Sequence, residues 1–143
     1  MQLPDVNVLI YAHRVDAPEH DRYAVWLRAL TASDEPFALS DVVLSGFLRI
    51  VTNARIFDPP TPMAVAIGFC QRLVEWPRAS LLMPSRRHWD VFMNLCADVK
   101  GPLVADAYIA ALAIENGCEL VTTDGDFARF PGLRWRHPLA ASN

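Results

Sequence analysis

A chain of 143 residues, 52% apolar and 20% charged, has the composition of a globular domain with a real hydrophobic core and not that of a disordered segment. A net charge of −3 argues against a protein that grips nucleic acid through bulk positive charge, while leaving room for one local basic strip. No apolar run reaches the roughly 18 residues of a membrane helix, Met1-Gln2-Leu3-Pro4-Asp5 carries no basic-then-apolar leader, and the dispersed Cys70, Cys96 and Cys118 lack CxxC spacing, so the expectation is a cytoplasmic protein with neither disulfide frame nor zinc site.

In chain order, residues 2–5 read as a short strand. Val6 to Tyr11 is so uniformly apolar that pattern alone leaves open whether it continues the strand or turns into a helix; Val6, Leu9, Ile10 and His13 would make a helical stripe behind an Asp5 cap. Pro18-Glu19 opens a helix to about Thr31, with Ala24, Leu27 and Leu30 on its apolar face and Tyr23 and Trp26 widening it. Phe37-Ala38-Leu39 is a short strand. Ser40 or Asp41 caps a helix carrying Val42, Val43, Phe47, Leu48, Ile50 and Val51, which Asp58-Pro59-Pro60 stops. Thr61-Pro62 reads as cap and first residue of a helix over about 62–75. Leu81-Leu82-Met83 is a strand, and Ser85 caps a helix to about Ala97. Leu103 to Glu115 is helical, Asn116-Gly117 stops it, and Glu119 to Thr123 is a strand. Phe127 to Phe130 is a short helical piece, Leu133 to Arg136 a last strand, and the tail beyond is expected to fray. Strands alternating with helices imply an α/β fold with a parallel sheet and helices on both faces. Nothing in the pattern divides the 143 residues into more than one domain.

Sites in such sheets form at the carboxyl ends of the strands. Asp5 ends the first strand and Asp124 follows the strand 119–123, so both fall on one edge. Asp106 is the one charge in the twelve residues Leu103–Ile114. A buried carboxylate is costly unless it is paired or binds a metal. Each aspartate also has an ordinary explanation: Asp5 as a helix cap, Asp106 as a first-turn residue favoured by the helix dipole, Asp124-Gly125-Asp126 as a turn. Together they describe a carboxylate cluster whose repulsion a cation relieves, and oxygen-only ligands select Mg²⁺ or Mn²⁺. Such a site suits phosphodiester hydrolysis. No GxSxG, HExxH or phosphate-binding glycine loop offers other chemistry, and His13, His20, His88 and His137 lack ligand spacing. Twelve of the thirteen basic residues are arginine, a type suited to phosphate contacts; Arg14, Arg49, Arg86, Arg87 and Arg129 are the candidates.

Four fragments, in this order, resemble the PIN-domain ribonucleases and, within them, the VapC-type toxins of bacterial toxin–antitoxin pairs. They are Asp5-Val6-Asn7-Val8-Leu9-Ile10-Tyr11-Ala12, Gly46-Phe47-Leu48-Arg49-Ile50-Val51-Thr52-Asn53, Ala105-Asp106-Ala107-Tyr108-Ile109-Ala110-Ala111-Leu112-Ala113 and Thr122-Thr123-Asp124-Gly125-Asp126-Phe127. The resemblance runs from residue 3 to about 138. It implies a PIN-like three-layer α/β/α sandwich, Mg²⁺ or Mn²⁺ held by acidic residues, endonucleolytic cleavage of RNA leaving 5′-phosphate and 3′-hydroxyl ends, a homodimer, and a VapB-type antitoxin partner. By motif position Asp5 and Asp106 would be metal ligands, Asp124 would support the metal or the attacking water, Asn7 and Thr123 would stand behind them, and Asp126 would be peripheral. Arg14 and Arg49 would contact RNA. The antitoxin would bring an amphipathic helix to a groove that Trp26, Trp76 or Trp89 could line, although core burial is the commoner fate of each.

One departure stands out. The family usually has a glutamate three residues before the arginine matched by Arg49; this chain has Gly46. Asp41 is an imperfect replacement, because five residues along a helix rotate it about 140° away. The cluster is one carboxylate short, and water and substrate completing the coordination is the preferred reading. The alternative is a PIN-like scaffold that binds RNA or protein without cutting.

Overall fold

The computed structural model describes residues 1–141. β1 (Gln2–Pro4) ends at Asp5, whose Oδ1 accepts the Val6 N–H at 2.7 Å and so caps α1 (Val6–His13). The ambiguous apolar run is therefore a helix. Val8, Leu9, Ile10 and Ala12 are all buried, so α1 is enclosed on most sides, which is why its periodicity chose nothing. The half-buried His13 meets Phe47 and Phe69 edge-on, with centroids 5.3 and 5.0 Å away.

α2 (His20–Ala32) starts later than Pro18, because Glu19 adopts a left-handed conformation (φ 57°) outside the helix. It buries Tyr23, Leu27 and Leu30, with Trp26 half-buried. β2 (Phe37–Ser40) is buried along its whole length and runs directly into α3 (Asp41–Val51). α4 (Met63–Val74) has Pro62 at its cap position, not Thr61. The Thr61 hydroxyl is engaged elsewhere, by His13 Nε2 at 3.1 Å and the Arg14 guanidinium at 3.3 Å. β3 (Ala79–Leu82) begins two residues before Leu81 and stops before Met83, since pairing with β2 fixes its extent. Ser85 caps α5 (Arg86–Cys96) as expected, its hydroxyl accepting the Arg87 N–H. A 3-10 turn (Gly101–Leu103) leads into α6 (Val104–Glu115), β4 (Glu119–Val121), a second 3-10 turn (Gly125–Arg129) and β5 (Arg134–Arg136). The tail does not fray at once: Ala140 N donates to His137 O at 3.2 Å, while Ser142 and Asn143 lie outside the described residues.

The five strands form one parallel sheet in the order β3-β2-β1-β4-β5. The path runs outward from β1 through β2 to β3, then jumps back to β4 and β5. Right-handed crossovers therefore place α1–α4 on one face and α5–α6 on the other. Packing of α1 on α2 and α3, α3 on α4, and α5 on α6 matches that division. The result is the expected α/β/α sandwich. Leu3, Leu9, Phe37, Leu39, Phe47, Leu112, Leu120 and Phe127 are fully buried at its centre. Each contributes about 1.5–3 kcal/mol by leaving water. The strand order reverses between β1 and β4, the place where ligand sites form in open α/β sheets.

Candidate active site

Asp5 and Thr122 end the two strands that flank this reversal. The ladder pairs Pro4 with Val121, and Asp5 N continues it by donating to Val121 O at 2.9 Å. One residue further, Thr122 Oγ1 donates to Asp5 Oδ2 at 2.7 Å. The same hydroxyl accepts the Asp124 N–H at 3.1 Å and lies 3.4 Å from Asn7 Nδ2, and Asn7 Oδ1 lies 3.4 Å from Thr123 N. Thr122 is the hub of this network and is completely buried. Of the Thr122-Thr123 pair, either of which could supply a hydroxyl here, alternation along the extended chain turns the Thr122 side chain toward Asp5, while Thr123, the residue expected to stand behind the carboxylates, offers its backbone N–H to Asn7 Oδ1.

α6 ends four residues before β4 begins, so it runs antiparallel to the strands and its first turn sits at their carboxyl edge. Asp106 is in that turn. The sequence places Asp106 inside an apolar run, but in the structure it belongs to the first helical turn. The helix starts only at Val104, and Val104 and Ala105 are exposed, so the residue enjoys the helix dipole while its neighbours one turn on, Ile109 and Ala110, are buried. Asp5, Asn7, Gly46, Arg49, Asp106 and Asp124 line one cleft of about 300 Å³, with Val6, Ile10, Val42, Ile50 and Ile109 as its apolar wall.

The electrostatics mark these carboxylates as one group. Burial, then the charges of Asp124, Asp5 and Asp126, push the Asp106 carboxyl from the usual 3.8 up to about 6, against a smaller opposite pull from Arg129. Burial also raises Asp5, opposed by its bonds from Thr122 and Val6 and reinforced by Asp124. Asp124 is half-buried and Asp126 exposed; Asp124 Oδ1 accepts the Asp126 N–H at 2.8 Å. Asp126 also lies 3.5 Å from the Arg129 guanidinium, which keeps it at the margin.

The donor set facing the cleft is all oxygen, and its carboxylates resist ionising together. Both properties fit a hard divalent cation. Among the described residues no three carboxylate, imidazole or thiol side chains stand close enough together to hold a metal ion by themselves. Mg²⁺ commonly takes only one or two carboxylates and keeps several waters, so an open arrangement suits it.

A Cβ at Gly46 would lie 3.1 Å from Val6 Cγ2, so α3 and α1 touch where a side chain would begin. Asp41 does not line the cleft; it is exposed at the start of α3 and accepts the Val42 N–H at 2.8 Å.

The arginines separate. Arg49 is exposed, lines the cleft, and makes no ion pair among the described residues. Arg14 stands nine residues from Asp5, about 13 Å along a helix. It pairs with Asp16 at 2.6 Å, donates to Pro59 O and Thr61, and covers the Phe57 ring at 4.3 Å. It staples the loop before α4 and does not line the cleft. Arg86 pairs with Asp90 at 3.6 Å on α5, and neither Arg86 nor Arg87 lines the cleft. Trp76 and Trp89 are exposed, contrary to the expected core burial.

The four motif fragments thus come together in the order and place that a PIN fold requires, and a PIN domain family model matches residues 3–133. The chain belongs to the PIN domain family. Within it, this PIN domain is 48% identical to ribonuclease VapC43 of Mycobacterium tuberculosis over 94% of its own length and 93% of the relative's. It is 41% identical to ribonuclease VapC25 of the same organism, over 96% and 99%. Among solved structures the PIN domain resembles VapBC2 from Rickettsia felis bound to a DNA fragment from their promoter, at a TM-score of 0.70 and 20% identity, covering 95% and 97% of the two chains. That likeness concerns the fold. No helix among the described residues is long and apolar enough to cross a membrane.

Proposed function

We propose that this VapC-type PIN domain is a Mg²⁺- or Mn²⁺-dependent endoribonuclease, the toxin half of a toxin–antitoxin pair. The observation that carries this reading is the gathering of Asp5, Asp106 and Asp124, far apart in sequence, along one cleft at the carboxyl edge of the sheet. Asp5 and Asp106 are the proposed ion ligands, and Asp124 supports the ion or the attacking water. When bound, the ion supplies charge for the phosphodiester oxygens and lowers the pKa of a coordinated water.

The chain's own residues do the rest. Thr122 and the Val6 N–H hold the Asp5 carboxylate in one orientation. Asn7 ties the β4 end to the start of α1. Asp124, held by the Asp126 N–H, supports the ion or orients water entering the cleft. Arg49 offers a guanidinium to an RNA phosphate at the cleft wall.

The proposed partner is a VapB-type antitoxin, as the name VapBC2 of the Rickettsia felis neighbour suggests. An apolar cleft of about 440 Å³ between α2 and α4, lined by Leu27, Phe69, Leu73 and Trp76 with Arg28 and Arg72, suits an amphipathic acidic helix. The proposed assembly is a homodimer.

Incubating total RNA with the protein in Mg²⁺, Mn²⁺ or EDTA, beside Asp106→Asn, tests the reading. Discrete, metal-dependent cuts that vanish in the variant are expected. Undiminished cleavage by folded Asp106→Asn would overturn the assignment. No cleavage by folded wild type would favour a binding scaffold.

A further inference from the structure

Ser40 is buried to 0% exposure, and its hydroxyl finds no hydrogen-bond partner among the described residues. A buried hydroxyl left unpaired costs about 1–3 kcal/mol, so its place in the fold calls for a reason. Ser40 stands at the N-cap position of α3 yet makes no capping bond. It is instead the β2 counterpart of Asp5. The β1–β2 register pairs Gln2 with Phe37, and carried three residues on, one past the end of β1, it brings Asp5 and Ser40 to matching positions at the carboxyl edge of the sheet. Each is the residue at which its strand passes directly into a helix.

Asp5 therefore has a hydroxyl residue at the carboxyl end of each flanking strand: Thr122, one residue past β4 and bonded to it, and Ser40, the last residue of β2, with no bond to it. Neighbouring parallel strands lie about 4.8 Å apart and in-register side chains share a face of the sheet, a span that a side-chain hydrogen bond or one water bridges. Thr122 already donates to Oδ2, and the Val6 N–H to Oδ1. An ionised carboxylate has about four acceptor sites. It therefore keeps capacity for an ion and for one further donor.

We propose that Ser40 is a second positioning residue for Asp5, its hydroxyl donating to the Asp5 carboxylate, directly or through one water, when that carboxylate holds a divalent ion. The inference rests on the reading of Asp5 as an ion ligand. It also bears on Gly46: in a cluster one carboxylate short, a neutral donor that stabilises the remaining charge on Asp5 assists ion binding without adding repulsion.

The test is calorimetric Mn²⁺ titration of the full chain, wild type, Ser40→Ala and Ser40→Thr, with thermal melts of each in EDTA. Ser40→Ala is expected to bind Mn²⁺ at least about five-fold more weakly, in line with the loss on removing groups that orient metal ligands, while melting in EDTA no lower than wild type because an unpaired hydroxyl is gone. Ser40→Thr, which keeps the hydroxyl, is expected to retain tighter binding than the alanine variant. Should Ser40→Ala not fold, a Ser40→Cys variant, close to serine in shape but a far weaker donor, takes its place with the same expectation. Wild-type Mn²⁺ affinity in a folded variant without the hydroxyl would overturn the role of Ser40 alone. Absence of Mn²⁺ binding by the wild type would overturn the ion reading of Asp5 and this role with it.

Discussion

Thr122 Oγ1 and Asp5 Oδ2 are 117 residues apart in the chain and 2.7 Å apart in space, and this bond holds the innermost carboxylate of the cleft at the central strand junction. Thr122→Val keeps the shape and removes the donor. Groups that orient metal ligands typically contribute 10–100-fold to activity or metal affinity. The expected outcome is a loss of that size in RNA cleavage with native secondary structure by circular dichroism. Thr123→Val, by contrast, leaves the backbone N–H in place and is expected to lose less than three-fold. Equal losses in the two variants would contradict the assignment of Thr122 as the hub.

The raised Asp106 carboxyl is expected to make the stability of the metal-free protein depend on pH. Its folded value of about 6 lies above the ordinary 3.8, so the folded state retains a proton that the unfolded chain gives up. The associated stability is fully present below about pH 4 and is lost as pH rises through about 6. Asp5, also raised by burial, acts with the same sign. In EDTA the melting temperature is expected to fall between pH 4 and pH 7, and Asp106→Asn should flatten that fall. Divalent ion affinity should rise over the same interval as the carboxylate ionises. A melting temperature that climbs with pH in EDTA would refute this account.

Arg14 and Arg49 should behave oppositely although both were candidate RNA contacts. Arg14→Ala removes an ion pair, two hydrogen bonds and a ring contact that fix the 57–61 loop. It should lower stability by about 1–3 kcal/mol in urea melts and leave RNA affinity nearly unchanged. Arg49→Ala should leave stability within about 0.5 kcal/mol, as for most surface changes. It should also weaken RNA binding and reduce the salt slope by about one.

Gly46 and Val6 should be energetically coupled. A Cβ at position 46 meets Val6 Cγ2 at 3.1 Å, and β-branched valine in a helix has little rotamer freedom with which to yield. Overpacking typically costs about 1–3 kcal/mol, against a helix-propensity gain of about 1 kcal/mol for Gly→Ala. Gly46→Ala is expected to be neutral to mildly destabilising, and to become stabilising in a Val6→Ala background. A double-mutant cycle should return at least about 0.5 kcal/mol of coupling. Strict additivity would show that the contact is relieved at no cost.

Local sequence determined much of this protein. The α/β alternation, nearly every helix, and the convergence of Asp5 and Asp124 on one sheet edge follow from caps, turn residues and apolar runs, which are short-range signals. The arginine surplus was legible too, but composition cannot distinguish an Arg49 left free at a cleft from an Arg14 committed to a loop. Tertiary structure decided what depends on partners distant in sequence. Val6–Tyr11 is a helix because Asp5 caps it and the sheet and neighbouring helices enclose it, and a segment buried on most sides carries no periodicity to reveal its form. Thr61 lost its cap role to His13 and Arg14, some 47 residues upstream. The Thr122-Thr123 pair offers two hydroxyls in sequence, and which of them meets Asp5, and that Ser40 ends the strand on the other side of β1, follows only from the parallel register of β1 with β4 and with β2. Register is fixed by the burial of whole strands and not by any single residue, so the hydroxyls that flank the carboxylate are assigned by the sheet.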